Sequence, residues 1–201
     1  LADDLGHEEA LRLVGQVDVE GHARDRLRVA ARHVGVVQLL AVVVRAAVAD
    51  QPGFVVDDRE VRRVGRSYSV LTLGELRAEL PDVPLCLIVG MDAFLGLPTW
   101  HRWTELLELA HLIVAPRPGW IAPDDGVLGN LLAERRALDP SELHASLAGR
   151  ILVQPVTQLE ISSTELRALL AAGRDPRYLV PDAVCERIRR TACYTVSQPE
   201  R

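Results

Sequence analysis

"PLCLIVGMDAFLGLPTWHRWTELLELAHLIVAP", residues 84–116, decides the fold of this chain. It opens on an unbroken apolar run, Leu85 to Val89, between Pro84 and Gly90. A short run with no polar alternation predicts a strand covered on both faces, as in a parallel sheet. "WTELLELA", residues 103–110, predicts a helix, and "HLIVAP", residues 111–116, a second buried strand. Strand, helix and strand in that order are the repeating unit of an α/β sheet.

Upstream, "SVLTLGELRAEL" (69–80) places Leu71, Leu73, Leu76 and Leu80 near helical spacing, with Pro81 as the stop. "FVVDDREV" (54–61) predicts a strand with a polar end, and Val34 to Ala49 a buried helix. Nearer the start, "GHEEALRLV" has the spacing of a short helix, and "VDVEGH" reads as a small strand and turn. Downstream, residues 117–149 lose the alternation and read as a loop with one or two short helices. "ILVQP" is the next strand, strand-like "VTQLEIS" leads into a helix, and "LVPDAVCERIRRTACY" gives the last helix. The expectation is one α/β domain over residues 1–201, a Rossmann-like open, mostly parallel sheet flanked by helices.

Bulk composition narrows the function. Apolar residues make up 48 % of the 201, which is a folding chain. Aromatics are 4 %, so the core is Leu, Val and Ala. Twenty-three basic residues against 28 acidic ones give a net charge of −5, unsuited to coating nucleic acid or an anionic membrane. A local basic pocket for a small phosphorylated ligand remains open. Three cysteines without a CxxC pair argue against a zinc cluster and for a reducing compartment. The most apolar stretch, "VVQLLAVVVRAAVA", is shorter than a span and is broken by Arg45. No signal-like segment is present. The expectation is a cytoplasmic protein without membrane or nucleic-acid partners.

"ISSTELR", residues 161–167, is the most informative local motif. Ser162 and Ser163 are both suitable N-caps, and Ser162 with Glu165 has capping-box spacing. Leu166, Leu169 and Leu170 form the apolar stripe. Arg167 lies on another face near the first turn, the end of a helix that disfavours a cation. It fits better with an anion held by the free N–H groups. Two readings stand: a simple cap with a solvated arginine, or a phosphate site.

The same stretch resembles the ISSTxIR motif of the nucleotidylyltransferase superfamily. "SYSVLTL", "GMDAFLGLPTWHRW", "HLIVAPRPG" and "YLVPDAV" resemble, in the same order, segments of one member family, the bacterial nicotinate mononucleotide adenylyltransferases. The resemblance runs from about Phe54 to Tyr194. It implies an enzyme that transfers AMP from ATP to nicotinate mononucleotide, releasing pyrophosphate and giving deamido-NAD. Magnesium is implied as the partner of ATP, with no metal site of the protein's own. Residues 156–201 are then a helical segment closing the nucleotide site. Homo-oligomerisation is left open.

Carried over residue by residue, the resemblance gives Ser162, Ser163, Thr164 and Arg167 to the ATP phosphates, with Arg117 nearby. Gly90 and Asp92 match a G-x-D at a strand end, where an open parallel sheet presents its crevice. Asp92 is then an acceptor for adenosine hydroxyls, or an N-cap of the segment that follows, or both. Ser67, Tyr68 and Ser69 match the stretch lining the nicotinate site, and Trp100 the residue that stacks on its ring. Trp103 reads as an ordinary half-buried tryptophan.

The N-terminal signature of the superfamily is a glycine-rich strand end followed by H-x-G-H. Gly6 and His7 match its second half, giving them to ATP and His7 to charge stabilisation during transfer. Asp4 stands where the first histidine would be. "GHARDR" echoes the family's substrate loop only loosely. Two alternatives to the leading function follow. One is a nucleotide-binding homologue with impaired catalysis. The other is an adenylyltransferase for a related mononucleotide.

Overall fold

The computed structural model describes residues 12–15, 41–116, 119, 121–157, 159 and 161–191. These fall into two compact units, one of Leu1–Val19 with Gly65–Gln158 and one of Glu20–Val64 with Leu159–Arg201.

The first unit is built on residues 84–116. Leu85–Gly90 is a strand, β2, and His111–Ala115 is a strand, β3, paired in parallel with Cys86 opposite His111 and Gly90 opposite Ala115. β1 (Arg12–Gly15) lies on the other side of β2. β5 (Ile151–Val153) follows β3, and β4 (Arg136–Ala137) closes the edge, in the order β1-β2-β3-β5-β4. Every pairing is parallel, as the unbroken apolar runs require.

Side chains alternate across the sheet and build two cores. Leu85, Leu87, Val89, Leu112 and Val114 meet α3 (Ser69–Glu79) through Val70, Leu73 and Leu76. Met91 and Phe94 of α4 (Met91–Leu95), Leu97, and Leu106 of α5 (Leu106–Leu109) complete that face. On the opposite face Cys86, Leu152 and Ala137 pack with Leu143, which sits on a short 3-10 helix, Pro140–His144. Burial pushes the Cys86 thiol up to about 12, so it is an inert apolar group.

α6 (Gly126–Arg135) begins at a tight corner. A Cβ on Gly129 would stand 2.6 Å from the backbone carbon of Asp124, so only glycine fits there.

Three expectations are corrected. "GHEEALRLV" is not a helix through its end: residues 12–15 form β1, because pairing with the edge of β2 outweighs a local pattern that suits both states. "FVVDDREV" is not a strand. Phe54 and Val55 are exposed, and Asp57 accepts the Arg59 N–H at 2.9 Å to start the short α2 (Arg59–Arg62). The segment before "ISST" holds no strand among its described residues, although Gln154 N–H extends the ladder to Val114 O. The 103–110 helix exists in two pieces. Trp103–Glu105 forms a 3-10 turn entered from Arg102 at φ 52°, and α5 continues it. "VDVEGH" lies outside the described residues.

In the second unit residues 41–48 are helical (α1), within the stretch expected to be. Arg45 and Arg62 both meet Asp58, at 2.8 and 2.7 Å, joining α1 to α2. α7 (Ser163–Ala171) and α8 (Asp182–Thr191) match the last two expected helices. Among the described residues no helix is long and apolar enough to cross a membrane.

Candidate functional site

In the sheet unit, Gly90 ends β2 and caps α4, so the chain turns at the carboxyl end of an interior parallel strand. Asp92 lies inside the first turn of α4, not at its cap, and is half-buried. The N-cap reading of Asp92 is thereby corrected. A carboxylate in the first helical turn is stabilised by the local N–H groups.

Tyr68 is the N-cap position of α3 and packs with Trp100 against the same apolar core. Ser67 is exposed, while Ser69 opens α3 half-buried. The Tyr68 ring stacks on His101, with centroids 4.2 Å apart and planes at 29°. This pair joins the "SYS" segment to the residue beside Trp100, across 33 positions of sequence, and sequence reasoning missed it. No local pattern could have revealed it. The Trp100 loop is also braced by Thr99, whose hydroxyl donates to Gly96 O at 2.7 Å, and by a paired Arg102–Glu105 contact. That contact holds the Glu105 carboxyl below its usual range. Trp103 is half-buried against the core, as expected.

In the second unit the capping box forms as the spacing predicts. The Glu165 N–H donates to Ser162 Oγ at 3.1 Å, and the Ser162 N–H donates to Glu165 Oε2 at 3.3 Å. The Ser162 hydroxyl itself donates to the same carboxylate at 2.8 Å. Ser162 is therefore committed to the helix start. The N–H groups and hydroxyls of Ser163 and Thr164 have no partner among the described residues, nor has the exposed guanidinium of Arg167. Leu166 and Leu169 line a shallow groove of about 220 Å3 with Ile161, Ser162, Glu165 and Leu179. Gly6, His7 and Arg117 lie outside the described residues. Among those described, no three His, Cys, Asp or Glu side chains gather as a metal site.

A family described as cytidylyltransferase-like matches residues 40–169. A probable nicotinate-nucleotide adenylyltransferase of Aeromonas hydrophila is 50 % identical over 157 residues, 78 % of this chain and 73 % of that protein. Its counterpart in Aeromonas salmonicida is 50 % identical over 157 residues with the same coverage. That of Halorhodospira halophila is 50 % identical over 158 residues, 79 % of this chain and 72 % of the other. Among solved structures, a Plasmodium falciparum nicotinic acid mononucleotide adenylyltransferase complexed with APC is a distant likeness. It has a TM-score of 0.43 at 16 % identity, over 65 % of this chain and 59 % of that one.

Proposed function

This chain belongs to the nicotinate-nucleotide adenylyltransferase family, and from that premise we propose that it transfers AMP from ATP to nicotinate mononucleotide. In the reaction a phosphate oxygen of the mononucleotide bonds to the α-phosphorus of ATP. The bond from that phosphorus to the α–β bridging oxygen breaks, and pyrophosphate leaves with the electron pair. No group of the protein is covalently modified, so its task is alignment and charge compensation.

The observation that carries the reading is the grouping at the carboxyl end of β2. Gly90 and Asp92 follow an interior strand of a parallel sheet, and Tyr68 and Trp100 pack on the core beneath. Trp100 offers a flat indole for the pyridine ring. The SYS segment supplies N–H groups for the nicotinate carboxylate, and Asp92 accepts from adenosine hydroxyls. Ser163, Thr164 and Arg167 take the ATP phosphates, using donors that α7 leaves unused. Ser162, which the resemblance also gives to the phosphates, contributes by fixing the helix start that aims them. Gly6, His7 and Arg117 complete the phosphate contacts in this proposal. Magnesium enters as the counter-ion of ATP, held by its phosphates. The free, buried Cys86 and Cys185 fit a reducing cytoplasm.

Mixing the protein with ATP, magnesium and nicotinate mononucleotide releases pyrophosphate above a heat-killed control. Trp100→Ala raises KM for the mononucleotide at least about tenfold and leaves that for ATP within about twofold. An equal rise for both refutes the stacking role. Asp4, in place of the first histidine of the signature, favours a second reading: ATP binding without turnover. Calorimetric binding of ATP with no pyrophosphate would select it.

A further inference from the structure

At the opposite end of the sheet from Gly90, Glu134, Arg135, Ser146, Ala148, Gly149 and Arg150 line a pocket of about 500 Å3. These residues precede the starts of β4 and β5, so the pocket lies at the amino ends of the strands. We propose that this pocket is a second oxyanion site, built for a small phosphate-class anion gripped by Arg135 and Arg150.

Three observations support it. Neither guanidinium has an ion-pair or hydrogen-bond partner among the described residues, although both line the same recess. Gly149, at φ 98°, lays bare backbone under Arg135, whose Nη1 stands 3.7 Å from where a Cβ would be. The loop is also held from below by a wholly buried side chain, His111. The Arg150 N–H donates to His111 Nδ1 at 3.0 Å, and His111 Nε2–H donates to Ser146 O at 2.8 Å. The imidazole thus ties both ends of the 146–150 loop through backbone atoms and leaves the Arg150 guanidinium without a partner among the described residues.

Charge selects the ligand class. Two guanidiniums and one carboxylate, that of Glu134, line the recess, and Glu134 forms no ion pair with either arginine among the described residues. Guanidinium forks match phosphate oxygens in pairs. The pocket is open, so binding weakens as salt rises.

The test uses inorganic pyrophosphate and hydrogen exchange on the full chain. Pyrophosphate slows exchange across residues 146–150 in the native protein and in Arg167→Gln. The double change Arg135→Gln with Arg150→Gln weakens this protection at least about tenfold in apparent affinity. Both arginines are exposed, so the doubly changed protein keeps its fold, checked by its unchanged unfolding midpoint. No protection of 146–150, or protection that survives the double change, overturns the proposal. Because the readout is independent of turnover, failure of the transferase reading would leave this result standing, and the reverse also holds.

Discussion

Arg77 ties together four segments of the sheet unit through backbone carbonyls alone. Its Nη1 donates to Leu80 O at 3.1 Å, Val83 O at 2.7 Å and, at a long 3.4 Å, Pro81 O. Its Nη2 donates to Leu109 O at 2.8 Å and Leu147 O at 2.7 Å. The end of α3, the turn into β2, the end of α5 and the loop before β5 are thus joined by one side chain. Arg77→Met keeps much of the stem and removes every donor. Leu147 O retains the Leu85 N–H at 3.3 Å, and Leu80 O the Val83 N–H at 3.5 Å. Val83 O and Leu109 O have no other partner among the described residues. Two carbonyls orphaned at roughly 1–3 kcal/mol each set the scale. Burial lowers the pKa of Arg77, so deleting the charge returns part of that loss. The expected net cost is about 3 kcal/mol, or about 6–12 °C in melting temperature for a chain of this size. Urea unfolding followed by circular dichroism measures it as a lower midpoint at unchanged slope. Arg77→Lys, with one ammonium in place of a fork, recovers less than half. A midpoint for Arg77→Met within about 0.5 kcal/mol of the native protein refutes the reasoning, as does full recovery by lysine.

Two further outcomes follow from the same geometry. Ser162→Ala loses the cap and costs about 1 kcal/mol in urea unfolding, and it raises KM for ATP less than removing the two uncommitted hydroxyls does. Ser163→Ala with Thr164→Ala does the opposite, and a larger ATP effect from Ser162→Ala reverses the assignment of roles. His111 is held neutral, its pKa lowered chiefly by burial. The unfolded chain takes up a proton near pH 6.5 that the native imidazole resists. Its contribution is therefore complete above that pH and is lost as pH falls through the folded value. Urea midpoints from pH 8 to pH 5 fall more steeply for the native protein than for His111→Gln, and equal slopes would show that the imidazole is not the group responsible.

What sequence could and could not reveal follows from the range of each interaction. β2, β3 and β5 were legible because unbroken apolar runs sit between Pro, Gly and polar residues, and α3 because its leucines keep helical spacing up to Pro81. The Ser162–Glu165 box was legible because both partners lie within one turn. β1 was not, since "ALRLV" satisfies helix and strand alike and its partner is 73 positions away, Arg12 opposite Leu85. "FVVDDREV" misled because β-branched residues signal strand only where a sheet face is available to cover them. The Tyr68–His101 stack, the Arg77 tie and the His111 clamp all join distant segments. A histidine at the head of "HLIVA" and an arginine late in α3 look ordinary until the chain is folded.

The corner at Gly129 has a practical consequence for anyone altering this protein. Backbone is seated against backbone there, so any side chain at position 129 would displace Asp124, and the glycine marks this corner for alignment and grafting. Extra residues between β3 and α6 belong at positions 121–123, upstream of Asp124 and clear of that corner. A tag or reporter spliced there leaves the downstream helix in place, whereas one spliced between Asp124 and Gly129 pries the corner apart.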